Sequence, residues 1–229
     1  MKNIAIILSG GIGSRMGSSI PKQYIEVNGK PILRYCLDVF ARHKDIDGFV
    51  IGVADEWKNY VQDIVEGIDK PILYSSTGVT RQCTILNALV AARENGYEYD
   101  DIVIIHEAVR PLVSESIIST CISGVKEGYD GVMPVIGMKD TLYHSVDGVS
   151  VTSLLDRSEI FAGQAPECFR LGKILDLLQG ISDEELMSVT GCLQIAYNNN
   201  FKLRLVEGSE QNFKITTPED LERFRQLQK

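Results

Sequence analysis

The sequence is short of several things, and each shortage excludes a class of protein. Its 229 residues contain five cysteines, and no two of them form a Cys-x-x-Cys pair. That removes the usual spacing of a zinc site and of a dithiol redox site. Cys36, Cys83, Cys121, Cys168 and Cys192 are odd in number and far apart, which suits a reducing compartment. Positive charge is in deficit: 23 Lys and Arg against 31 Asp and Glu leave a net −8. A general nucleic-acid binder carries the opposite balance, so no nucleic-acid partner is expected. No apolar run reaches the roughly 20 residues of a membrane span. No signal-peptide pattern follows Met1, so the expectation is a cytoplasmic protein without a membrane partner. Among the three histidines, His43, His106 and His144, there is no metal-protease or triad spacing. Repeats and linkers are missing too, and the length suits one domain over residues 1–229.

What is present is an alternation. Ile4–Leu8 reads as a buried strand. Ile32 to Phe40 falls on one helical face behind Pro31. Phe49–Val53 and Pro71–Tyr74 read as strands around a helix carrying Trp57 to Val65. A helix with Ile85 to Val90, a strand at Ile102–Ile105, a helix with Ile117 to Val125 and a strand at Gly131–Ile136 follow. This predicts an α/β fold: a doubly wound, mainly parallel sheet with ligands beyond the carboxyl ends of its strands. A hairpin of Thr141–Ser145 and Val149–Thr152 interrupts the pattern, giving a β-arm at about 139–158. It has no core of its own and is expected to pack on a second subunit, making a homodimer. Asp183 to Ile195 reads as one helix and Phe201–Val206 as a strand. Thr217 and Pro218 open the last helix as N-cap and first residue.

The stretch Leu8–Ser9–Gly10–Gly11–Ile12–Gly13–Ser14–Arg15–Met16, continuing to Pro21–Lys22–Gln23, is where the chemistry concentrates. Glycines strip side chains from a turn after a strand, and bare N–H groups there can cradle phosphate. Arg15 and Lys22 add a planar fork and a point charge. A dinucleotide fingerprint would need glycine where Met16 stands, and the Gly-Lys-Ser/Thr phosphate loop is absent. The site therefore reads as one for a nucleoside triphosphate.

Ser9 to Gly17 with Pro21–Lys22–Gln23 resembles the sugar-nucleotide pyrophosphorylase signature. In particular it resembles the cytidylyltransferases that act on methylerythritol 4-phosphate or ribitol 5-phosphate. The resemblance runs through five motifs in order. Ile105–His106–Glu107–Ala108–Val109–Arg110–Pro111 matches a segment whose Asp binds Mg²⁺, with Glu107 in its place. The added methylene moves that carboxylate by roughly 1.5 Å. The plain reading of Glu107 is a salt-bridge partner for Arg110. Gly78, Arg81 and Thr84 match a Gly-x-x-Arg-x-x-Ser segment that helps recognise cytidine, though by themselves they mark a helix start. Thr141 and Arg157 match acceptor-phosphate residues, and Lys214 matches a phosphate-binding lysine set on one strand face with Asn212. Three positions depart further: Ala165 and Glu167 stand in a Thr-Pro-Gln segment, and Gly191 stands where Asp is common. Glu167 near an acceptor phosphate would repel it.

The resemblance implies transfer of CMP from CTP to a small polyol phosphate, with Mg²⁺ as cofactor. Ser9, Gly10, Gly11, Gly13, Gly78, Arg81 and Thr84 would bind CTP. Arg15, Lys22, Arg157 and Lys214 would be catalytic, Arg110, Thr141, Arg157 and Lys214 would bind the acceptor, and Glu107 would hold the metal. Asp55–Glu56–Trp57, Gly163–Gln164 and Lys214–Thr217 lean towards ribitol 5-phosphate. A methylerythritol-phosphate enzyme, an inactive CTP-binding paralogue and a nicotinamide-dependent oxidoreductase are the alternatives.

Overall fold

The computed structural model describes residues 1–11, 20–189 and 191–229. β1 (Asn3–Leu8) is almost wholly buried, as an unalternating apolar strand must be when both faces are covered. A single 3-10 turn at Lys22–Tyr24 leads to a small ribbon of β2 (Glu26–Val27) and β3 (Lys30–Pro31). Then come α1 (Ile32–Arg42), β4 (Gly48–Gly52), α2 (Lys58–Ile64), β5 (Ile72–Ser75) and α3 (Arg81–Glu94). β6 (Ile102–Glu107), α4 (Glu115–Lys126) and β7 (Gly131–Gly137) complete the alternating part. β8 (Leu142–His144) and β9 (Ser153–Leu155) pair as the hairpin. β10 (Phe161–Gly163), β11 (Glu167–Arg170), α5 (Leu171–Gly180), α6 (Asp183–Ser188) and α7 (Cys192–Asn198) follow. The described chain closes with β12 (Leu203–Glu207) and α8 (Pro218–Leu227).

The fold is the expected doubly wound α/β arrangement. β5, β4, β1 and β6 run parallel in that order, β11 joins antiparallel between β6 and β7, and β12 pairs parallel with β7. Side chains alternate between two cores. Ala5, Ile7, Phe49, Ile51, Ile102 and Ile104 face α1, α2 and α4. Ile4, Ile6, Val50, Val103 and Ile105 face α3, α5, α6 and α7. A third cluster joins Ile32 of α1 to Leu221 and Phe224 of α8.

Two elements differ from expectation for local reasons. The second hairpin strand is Ser153–Leu155 and not Val149–Thr152. The Asp147 carboxylate accepts the N–H groups of Val149 at 2.8 Å and Ser150 at 2.7 Å, which curls that stretch into a side-chain-closed turn. The expected helix from Asp183 to Ile195 is two helices, with Gly191 extended at the N-cap of the second. β10 and β11 are three and four residues long, too short for a period to show in the sequence.

The last helix is capped on both sides. The Thr217 hydroxyl accepts from Asp220 N, and the Asp220 carboxylate accepts from Thr217 N at 2.9 Å. This reciprocal pair satisfies two backbone donors at the helix start. Thr217→Ala is expected to lower stability by about 1 kcal/mol in urea unfolding. An unchanged midpoint would remove the cap from the account.

Candidate active site

The parallel strands β5, β4, β1 and β6 end along one edge, and the loops leaving them enclose a cavity of about 630 Å³. Gly10 and Gly11 form one wall. A Cβ on Gly10 would lie 2.1 Å from Thr77 Cγ2, so only glycine lets the loop after β1 meet the loop after β5. Gln23 braces this wall by donating from Nε2 to Ser9 O at 2.6 Å and Gly11 O at 2.8 Å. Lys22 is buried beside it and lines the cavity. Ser9 departs from its expected role: it is buried, and its hydroxyl hydrogen-bonds Tyr24 Oη at 2.9 Å, so it shapes the loop from behind. Gly13 and Arg15 lie outside the described residues.

The second wall is the start of α3. Thr80 caps the helix, its hydroxyl accepting from Cys83 N at 3.2 Å. Thr84 Oγ1 accepts from Gly78 N at 3.0 Å and donates to Thr80 O at 3.1 Å. A Cβ on Gly78 would lie 2.2 Å from Cys83 Cβ, so the helix turn itself already demands the glycine. Gly78, Arg81 and Thr84 all line the cavity. Arg81 donates from Nη2 to Glu167 Oε1 at 2.7 Å. Glu167 is therefore held at this wall beside a cation, where the sequence suggested a clash with the acceptor.

Glu107, the last residue of β6, forms the floor. Its Oε1 accepts from Lys214 Nζ at 2.8 Å and lies 3.6 Å from Arg81 Nε. Its Oε2 accepts from Arg110 Nε at 2.9 Å. Burial opposes the charge on Glu107, yet Lys214, Arg110 and Arg81 together pull its pKa down to about 2. The plain Arg110 pairing read from the sequence is present, with two further cations joined to it. His106 points into the core, where Nε2 donates to Arg110 O at 3.0 Å and burial pushes the ring's pKa down to about 4.

Lys214 also lines a second cavity of about 410 Å³, with Arg110, Lys139, Phe213 and Arg223. The segment carrying Lys214 is not a strand, contrary to the alternation argument. Ile215 N donates to Val109 O at 2.9 Å, and Asn212 turns inward to donate to Ala165 O at 2.7 Å. Lys214 instead reaches Glu107. Thr141 and Arg157 line neither cavity and are exposed at the base of the hairpin. Sequence reasoning overlooked Gln23 as the loop's brace and Glu167 as the partner of Arg81. The Pro-Lys-Gln motif held the signal for Gln23, whereas Glu167 had none in its own segment.

Magnesium takes six oxygens in octahedral geometry, commonly one or two carboxylates with phosphate oxygens and water. Glu107 offers one carboxylate, and both its oxygens already accept from cations. No group of three or more His, Cys, Asp or Glu able to hold a metal occurs among the described residues. Glu107 alone does not make a protein-only magnesium site, and its single carboxylate suits an ion whose other ligands are phosphate oxygens and water.

A family model described as 2-C-methyl-D-erythritol 4-phosphate cytidylyltransferase matches residues 3–226. A ribitol-5-phosphate cytidylyltransferase of Streptococcus agalactiae serotype V is 34% identical over 99% of this chain and 95% of its own. A solved 4-diphosphocytidyl-2C-methyl-D-erythritol synthase from Anaerococcus prevotii is 28% identical, with a TM-score of 0.82 over 100% of this chain and 96% of its own. The Francisella tularensis 2-C-methyl-D-erythritol 4-phosphate cytidylyltransferase is 29% identical, with a TM-score of 0.81 and 99% of each chain covered.

The depressed Glu107 pKa has a sign that can be read in unfolding. Folded Glu107 stays ionised where its unfolded counterpart, near 4.5, is already protonated. Its stabilisation is present above about pH 4.5 and is lost as pH falls through about 2. Urea unfolding of Glu107→Gln should show a shallower decline over that window than the parent protein. Parallel profiles would contradict the three-cation arrangement.

Proposed function

The chain belongs to the 2-C-methyl-D-erythritol 4-phosphate cytidylyltransferase family, and from that membership we propose that it transfers CMP from CTP to ribitol 5-phosphate with release of pyrophosphate. The observation that carries the reading is Lys214, which borders both cavities at once. CTP would fill the larger one, with its base against Gly78–Thr84 and its phosphates along Gly10, Gly11 and Lys22. The acceptor would sit in the smaller one. An acceptor phosphate oxygen attacks the α-phosphorus of CTP in line, a P–O bond forms, and the bond to the departing pyrophosphate breaks.

Nucleophile and target are both anions, so the obstacle is repulsion together with orientation. Lys22 and Arg15 would stabilise charge developing on the α-phosphate and on pyrophosphate. Lys214 would hold the two anionic groups together. No general base is required, since the attacking phosphate is already ionised. Magnesium is assigned to the substrate, entering with CTP, and no step here depends on a protein-held ion.

Arg110 borders the acceptor cavity, but Thr141 and Arg157 do not reach it within one chain. The hairpin between them exposes Val146, Val149 and Leu154 at 84%, 88% and 66%. A homodimer in which the arm lies on a second copy would cover these side chains and carry Thr141 and Arg157 towards the neighbouring acceptor cavity. A monomer in light scattering at micromolar concentration would oppose that part of the reading.

The ribitol preference rests on the curated relative's name and on the Asp55–Trp57, Gly163–Gln164 and Lys214–Thr217 resemblances. Methylerythritol 4-phosphate is the second reading, favoured by the family model and by the solved neighbours, which are methylerythritol-phosphate enzymes. A pyrophosphate-release assay with CTP and each acceptor separates them: ribitol 5-phosphate should give the higher kcat/KM. Release with neither acceptor, despite CTP binding, would turn the reading to an inactive paralogue. In the same assay Lys22→Ala and Lys214→Ala should each cost about a hundredfold in turnover, and near-parental rates would reject their roles.

A further inference from the structure

Arg81 lines the CTP cavity, and behind it stands Glu167, a buried acid that the mechanism above does not use. Glu167 is 6% exposed and lies 2.7 Å from Arg81 Nη2, while Glu107 Oε1 lies 3.6 Å from Arg81 Nε. The one positive charge of Arg81 thus faces two carboxylates. Arg81 Nη1 and Glu167 Oε2 are buried and have no hydrogen-bond partner. A buried donor without a partner is costly unless a ligand uses it. An arginine whose charge is already balanced is a poor counter-ion for phosphate, because a phosphate brought to it also meets the two acids. Its planar N–H donors still suit a neutral acceptor such as a nucleobase carbonyl. Beside the pair the chain leaves room: a Cβ added at Gly191 would lie 3.9 Å from Glu167 Oε1, in ordinary contact.

We propose that Glu167 is a positioning residue for nucleobase recognition: it fixes the Arg81 guanidinium and offsets its charge, so that Arg81 meets the neutral edge of the pyrimidine and not the triphosphate. The two acids thereby give the cations of the site separate tasks. Lys214 and Arg110 on the Glu107 side serve phosphate, and Arg81 between the two acids serves the base. The inference rests on the cytidylyltransferase reading of the cavity.

The test measures calorimetric binding of CTP and of inorganic tripolyphosphate to the full chain. Glu167→Gln keeps the shape and removes the charge. It should weaken CTP by about tenfold or more, the scale of one hydrogen bond to a charged group, and leave tripolyphosphate no weaker. In turnover the loss should fall on KM for CTP and leave most of kcat. Adding Gly191→Asp to Glu167→Gln should restore CTP affinity. Position 191 has an extended backbone, at φ −155, and is a helix N-cap, both of which admit aspartate. Equal CTP binding in Glu167→Gln, equal weakening of both ligands, or failure of the second substitution to rescue would overturn the proposal. If Glu167→Gln does not fold, Glu167→Asp is judged by the same ligand difference. A parent protein that binds no CTP would bring down the cytidylyltransferase reading itself, a result distinct from the others.

Discussion

One carboxylate sets the charge arrangement at the cavity floor. Glu107 gathers Lys214, Arg110 and Arg81, which come from a loop before α8, the turn after β6 and the first residue of α3. Without a shared anion, three cations this close would repel one another, and a buried unpaired charge is strongly destabilising. Glu107 makes the cluster possible while leaving Lys214 at the boundary of two cavities. An incoming triphosphate would meet Lys214 already in place, with Arg81 held apart by its two carboxylates, which is the preorganisation that phosphoryl chemistry requires.

The fold supplies the position of that carboxylate. Four parallel strands end together, so the loops after β1, β4, β5 and β6 converge without any long excursion. Glycine at 10 lets two of those loops touch, and Gln23 ties the first of them down through backbone oxygens. Antiparallel β11 then slots in beside β6 and brings Glu167 to the same wall. The cavity is thus built from both the regular half of the sheet and the strand that breaks its regularity.

How much of this was legible in the sequence depended on the range of the interaction concerned. The alternating strands and helices announce themselves through continuous apolar runs, and the capped start of α8 through Thr217 and Pro218 side by side. The Glu107–Arg110 pair is three residues apart and could be anticipated. The Lys214–Glu107 and Arg81–Glu167 pairs span 107 and 86 residues, and no local pattern encodes them. Ser9 misled because a hydroxyl in a glycine loop suits phosphate as well as it suits Tyr24. The hairpin's second strand misled because valines at 149 and 151 alternate like a strand, while Asp147 takes the N–H groups of Val149 and Ser150 into a turn.

The most direct measurement is a crystal structure of the protein with CTP and magnesium. The account predicts cytosine against Gly78–Thr84, the triphosphate along Gly10, Gly11 and Lys22, and Lys214 within hydrogen-bond reach of a phosphate oxygen. CTP bound away from the ends of β1 and β6 would contradict it.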